Sequence, residues 1–143
     1  MTVAAILKQK GTDVASVRPT TTISDLAGLL SAKRIGAVVV LDTAHQLLGI
    51  VSERDIIHGI AAHGAAALTM SAAQLMTREV RTAGPGTSVE DAMAMMTTGR
   101  FRHLPVIEDD RLVGIISIGD VVKRRIMQQE HEVDSLKAYV AGA

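Results

Sequence analysis

Residues 48–57 read LGIVSERDII and residues 113–122 read VGIISIGDVV. Both place a Gly ahead of an apolar run, then Ser-x-x-Asp, then two more apolar residues. The likeness extends outward. With a shift of 66 positions, Val14 aligns with Val80, Pro19 with Pro85, Thr21 with Thr87, Asp25 with Asp91, Arg34 with Arg100 and Val40 with Val106. One residue is lost in the turn after Asp42. With a shift of 65, Leu47 then aligns with Leu112, Gly49 with Gly114, Ser52 with Ser117 and Asp55 with Asp120. A single small gap across the whole alignment marks an internal duplication.

Each copy predicts the same order of elements. An extended stretch near Val14, or at Val80-Arg81-Thr82, leads through Pro19 or Pro85 into a helix. Its apolar residues fall at i, i+3, i+4 and i+7: Ile23, Leu26, Ala27 and Leu30, or Val89, Ala92, Met93 and Met96. Thr22-x-x-Asp25 and Ser88-x-x-Asp91 are capping signals for these helices. A strand follows over 37–41 or 104–107, then a turn holding Asp42 or Asp109-Asp110, then a strand over 47–51 or 112–116. A second helix starts at Ser52 or Ser117. The expected fold is α+β, a βαββα unit written twice. A unit of about 50 residues buries too little surface to stand alone, so the two are expected to pack together. The boundaries read as an N-terminal helix over 1–12, repeats over 13–66 and 79–128, a connecting segment over 67–78 with a short helix capped by Ser71, and a C-terminal helical extension over 129–143.

Composition narrows the function. The chain is 48% hydrophobic but has one Phe, one Tyr and no Trp, so its core is aliphatic. Fifteen basic residues balance fifteen acidic ones; no basic field for nucleic acid or a membrane surface is expected, and base-stacking platforms lack the aromatics they need. The absence of Cys excludes disulfides and thiolate chemistry. No stretch approaches the length of a membrane span, so a cytoplasmic protein is expected. The histidines, His45, His58, His63, His103 and His131, form no metal-ligand motif, and no nucleophile elbow, P-loop or Gly-rich dinucleotide loop is present. Catalysis is not expected, and neither is a metal.

The duplicated Ser-x-x-Asp has two readings. Ser at N-cap with Asp three residues on is close to a capping box and needs no ligand. The same geometry sets a hydroxyl and backbone N–H groups at a helix N-terminus, where anions bind, with a carboxylate one turn in that can accept from a ribose diol. A second cluster is GRFRHLPV at 99–106. Arg100, Arg102 and His103 lead into a strand, where they are either a solvated basic turn or phosphate clamps beside the Ser117 helix. The corresponding KRIGAVVV has only Lys33 and Arg34, so two sites are expected to bind unequally, the second copy carrying the larger phosphate charge.

These features together resemble the cystathionine-β-synthase (CBS) domain family, as a stand-alone tandem pair. The resemblance covers about Val14–Ile126. It rests on the duplicated Gly-apolar-apolar-Ser-x-x-Asp, on Met76-Thr77 before Val80-Arg81-Thr82, and on Arg102-His103-Leu104-Pro105-Val106. It implies a pseudo-twofold pair of repeats with two clefts for adenosine-containing ligands such as AMP, ADP, ATP, S-adenosylmethionine or NAD(H). On this chain it implies ribose on Asp55 and Asp120, with Ser52 and Ser117 nearer the phosphate. Arg102 and His103 would face phosphate. Ser16, Thr82 and the strand starts at Gly36-Ala37-Val38 and Leu104-Pro105 would lie near the base. The first copy lacks the His-Leu-Pro of the second, and Arg54 is the candidate to supply its phosphate contact.

The family also implies a homodimer. In the last helix, Ile126, Val133 and Val140 are seven apart, with Val122 one turn before them and Leu136 between Val133 and Val140, the spacing of a helix that seeks a partner. Val3, Ile6 and Leu7 form an apolar face suited to a sheet edge or that same interface. The expected function is a non-enzymatic regulatory module that binds an adenine nucleotide and signals to an effector protein. The alternative is a dimerisation scaffold whose Ser-x-x-Asp pairs only cap helices.

Overall fold

The computed structural model describes residues 1–142. The chain forms α1 (Val3–Lys10), β1 (Ser16–Val17), α2 (Ile23–Lys33), β2 (Ala37–Leu41), β3 (Leu47–Ser52) and α3 (Glu53–His63). A 3-10 segment (Gly64–Thr69) then leads to α4 (Ala72–Leu75), α5 (Val89–Gly99), β4 (His103–Glu108), β5 (Arg111–Ser117) and α6 (Ile118–Gly142). In the first repeat β1 pairs parallel to β2, which pairs antiparallel to β3. In the second, β4 and β5 are antiparallel, and the first strand is reduced to one parallel bridge between Ala83 and Val106. The duplication reaches the backbone detail. Each hairpin shifts register at the same place, between Val40 and Leu41 and between Val106 and Ile107.

The predicted caps form. The Thr22 and Ser88 side chains accept from the Asp25 and Asp91 N–H groups, and Ser71 closes a capping box with Gln74 at α4. β2 is buried from Ala37 through Val40, as its unbroken apolar run requires.

Each repeat has its own aliphatic core, and each core is completed by a helix from outside the repeat's own βαββα run. Ile23, Leu26, Val38, Val40 and Val51 are joined by Ala72 of α4. Val89, Met96, Leu104, Val106 and Ile116 are joined by Val3, Ile6 and Leu7 of α1. The two helices dock alike. The Val3 N–H donates to the Thr87 carbonyl and the Ala72 N–H to the Thr21 carbonyl, both at 2.8 Å; Ala4 and Ala73 donate in the same way to Pro85 and Pro19, both at 3.0 Å. The N-terminal apolar face therefore covers the second repeat, where it lies against β5 and α6.

This docking explains the duplicated Gly. A Cβ on Gly49 would stand 2.7 Å from Met76 Sδ and from the Thr77 carbonyl oxygen, and one on Gly114 would stand 2.6 Å from Leu7 Cδ2. Among the described residues, no helix is long and apolar enough to cross a membrane.

Candidate functional site

A cleft of about 690 Å³ opens between the repeats, a size suited to a small-molecule ligand. The first repeat contributes Gly36, Ser52, Arg54 and Asp55, the segment after α4 contributes Thr77, Glu79 and Arg81, and the end of α5 contributes Arg100, Phe101, Arg102 and His103. Two chain features aim these residues inward. α5 ends on Arg100 in the left-handed region, φ 56°, which turns Phe101 and Arg102 away from the helix axis. Capping fixes Asp55: the Ser52 N–H donates to Asp55 Oδ2 at 2.8 Å, the Ser52 hydroxyl donates to the same oxygen at 3.0 Å, and the Asp55 N–H donates to Ser52 Oγ at 3.3 Å. Its other oxygen, Oδ1, accepts from the Thr77 hydroxyl at 3.0 Å.

Both Ser-x-x-Asp pairs are thus reciprocal caps. In the second, the Ser117 N–H donates to Asp120 Oδ2 at 2.8 Å and the Asp120 N–H to Ser117 Oγ at 3.1 Å. The first helical N–H groups are also engaged, Glu53 with the Gly36 carbonyl and Ile118 with the Arg102 carbonyl. Capping and strand closure take up most of the N-terminal donors that an anion would use. In this cleft the arginines are the ready cationic donors.

The start of β4 lies beside the Ser117 helix start, as suggested along the chain, with His103 paired to Ser117, but the side chains there also group with the first repeat. Arg102 and His103 share the cleft with Ser52 and Asp55 of the first repeat, and Ser117 and Asp120 are not among its lining residues. Crossing between repeats brings the basic turn of one copy to the helix start of the other. The larger cationic charge, from Arg54, Arg81, Arg100 and Arg102, therefore faces Asp55. Arg54 also ties the repeats together, its Nη1 donating to the Arg100 carbonyl at 3.1 Å. Thr82 lies outside this cleft, on a shallower depression with Arg78 and Asp110. Ser16 is exposed on β1, and the side chains of Ala37, Val38, Leu104 and Pro105 are buried. Arg100, a phosphate-clamp candidate from the sequence, lines this cleft, whereas Thr77 and Arg81 were not singled out from sequence as site residues.

At Asp120 a different partner is present. Lys10 Nζ donates to Asp120 Oδ2 at 2.6 Å and to the Ile115 carbonyl at 2.9 Å. Burial alone would raise the Asp120 pKa, but the Lys10 ammonium and the Ser117 N–H outweigh it and hold the carboxyl below its ordinary value. Burial, and then the Lys10 charge, lower the His103 pKa against the opposing pull of Glu53 and Asp120. His103 is thus an imidazole wall shared by both sides of the β4 start, its Cε1 3.1 Å from where a Gly36 Cβ would stand. Among the described residues no His, Cys, Asp and Glu cluster suited to a metal ion forms.

Comparison with known proteins accords with this architecture. The CBS domain family model matches twice, over residues 6–62 and 72–127. The mitochondrial CBS domain-containing protein CBSX3 of Arabidopsis thaliana is 35% identical, over 99% of this chain and 72% of its own length. A crystal structure of a CBS-domain containing protein from Agrobacterium tumefaciens superposes with a TM-score of 0.85 at 48% identity, over 87% of this chain and 92% of that one. A CBS domain protein from Pyrobaculum aerophilum, solved in complex with AMP, superposes with a TM-score of 0.74 at 26% identity, over 84% of this chain and 89% of that one. A double family match across most of the chain, on a fold of two crossed repeats, leaves one assignment: this protein belongs to the CBS-domain family, as a tandem pair.

Proposed function

We propose that this CBS pair is a non-catalytic regulatory module that binds an adenosine-containing ligand, AMP, ADP, ATP or NAD(H), in the Asp55 cleft. One observation carries the reading: a carboxylate held ready for a ribose diol stands in the same cleft as four arginines from both repeats. The Thr77 hydroxyl can rotate away to release Asp55 Oδ1, and Ile50, Val80 and Phe101 offer an apolar wall for the base. A related CBS structure holding AMP supports the ligand class. Because the arginines come from both repeats, ligand changes how tightly the repeats are clamped. That differential contact is what a signal to an effector protein requires.

The homodimer belongs to the same proposal. It is supported by apolar residues left in water on α3 and α6: Ile57, Val122, Ile126, Val133, Leu136 and Val140. The reciprocal caps favour a second reading, a dimerisation scaffold without a ligand.

Melting curves with AMP, ADP, ATP, NAD, NADH and S-adenosylmethionine, on wild type and Asp55→Ala, decide between the two. A ligand at a hundredfold excess over Kd adds about 2.7 kcal/mol, which raises Tm by roughly 2–8 °C in a chain of this size. A rise with an adenosine ligand that is lost in Asp55→Ala supports the sensor. A flat panel, with nucleotide retained from purification removed, leaves the scaffold.

A further inference from the structure

We propose that Lys10 latches the second cleft shut, so that each chain carries one ligand-competent cleft, at Asp55, and one held closed by its own N-terminal helix. The inference rests on the nucleotide-binding reading above. By the repeat alignment, Asp120 is the counterpart of Asp55. What meets the two carboxylates differs in kind. Asp55 Oδ1 meets a neutral hydroxyl, from Thr77, on a side chain that a single rotation removes. Asp120 Oδ2 meets an ammonium at 2.6 Å, whose second bond, 2.9 Å to the Ile115 carbonyl, fixes it on the strand below. A ribose diol donates to a carboxylate, and the ammonium already donates, with a full charge behind it, to the same oxygen that accepts from the Ser117 N–H.

The latch is anchored. Val3, Ile6 and Leu7 of the same helix are buried in the second core. The Val3 and Ala4 N–H groups are bonded to the loop before α5, and Gln9 Oε1 accepts from Arg124 Nη1 at 2.9 Å. Lys10 and Asp120 keep only 35% and 25% of their side-chain surface in water. Opening this cleft therefore requires the charged pair to separate while the helix stays docked. Lys10 has no basic counterpart in the first repeat: with Val3 matched to Ala72 and Ala4 to Ala73 by their docking bonds, the position of Lys10 falls on Glu79.

Calorimetric titration with AMP tests the latch in wild type, Lys10→Met, Asp55→Ala and the Lys10→Met/Asp55→Ala double variant. Met keeps the aliphatic stem and removes the charge, and a circular dichroism melt shows that each variant is folded. The expected result is one AMP per wild-type chain, lost in Asp55→Ala. Lys10→Met should bind two, with the second site tightened by about tenfold or more as the closed state is removed. The double variant should bind one, and lose it on adding Asp120→Ala. Two AMP per wild-type chain, or one in both wild type and Lys10→Met, overturns the latch and leaves the Asp55 reading standing. No binding to wild type with one AMP in Lys10→Met overturns the Asp55 site and upholds the latch. No binding to any variant overturns both. A ligand-free readout accompanies these: the Asp120 carboxyl, held down by the Lys10 ammonium at 2.6 Å, titrates at higher pH in Lys10→Met by NMR, and an unmoved titration places Lys10 away from Asp120 and overturns the latch.

Discussion

Arg34 and Arg100 occupy the same backbone position in the two repeats, each ending a helix in the left-handed region, at φ 54° and φ 56°. A side chain in this region is uncommon, and Gly or Asn is its usual occupant. Arg100 lines the Asp55 cleft. Of the two strained positions, only that of Arg100 places its charge in the cleft.

Replacing either arginine with Gly relieves the same strain, so Arg34→Gly and Arg100→Gly should each raise stability, by up to about 1 kcal/mol in urea unfolding. Nucleotide affinity should separate them. Arg100→Gly removes cleft charge and weakens AMP binding, whereas Arg34→Gly leaves it unchanged. Equal effects on binding would remove Arg100 from the site.

Gly49→Ala and Gly114→Ala should differ although the motif is duplicated. At Gly49 the new methyl meets a backbone carbonyl, of Thr77, which cannot swing aside; at Gly114 its near contacts are the flexible end of Leu7. Overpacking of the first kind costs roughly 1–3 kcal/mol. The second should cost less, measured by denaturant midpoint. A larger loss at Gly114 contradicts this account of why both glycines exist.

Stability should fall on acidification in two steps. The fold lowers the His103 pKa below 6.5 and thus favours the neutral ring. That contribution is complete above 6.5 and is lost as pH falls from there through the folded value. The fold also lowers the Asp120 pKa below 3.8 and favours the carboxylate. Its contribution is present above 3.8 and disappears as pH falls through the lower folded value. In both windows the unfolded chain binds more protons, so stability rises with pH. His103→Gln should flatten the upper step of a Tm–pH curve and Asp120→Asn the lower one. A curve unaltered by either change refutes the assignment.

The exposed heptad positions of α6 make a separate claim. Val133 and Leu136 are 50% and 63% exposed in the single chain. If a second copy covers them, Val133→Asp with Leu136→Asp should convert a sedimenting dimer to a monomer. The melting of the repeat cores should change little, because surface substitutions away from packed features usually stay within about 0.5 kcal/mol. A monomeric wild type ends the proposal.

Much of the fold was legible because its determinants are local. Apolar period, Ser and Thr caps and Asp turns located α2, α5, both hairpins and the starts of α3 and α6, and a twice-written pattern tested each element against its copy. The first strand of the second repeat was less legible: a parallel strand is defined by its partner, and here only Ala83 pairs, with Val106. Residue types in the cleft were legible too, but their grouping was not.

Grouping depends on contacts between distant parts of the chain. By itself the sequence determined that there are two like units, an aliphatic core, no thiol chemistry, and an Asp at the head of each second helix. Only the tertiary structure decided that the repeats exchange parts. It brought Arg102 to Asp55, set α1 on the second core, and placed Lys10 against Asp120, 110 positions away. The reason is physical. Capping and periodicity act within one turn of backbone and leave their mark in adjacent letters. A charge pair between a first helix and a last one is set by how two cores close, and local pattern carries no record of it.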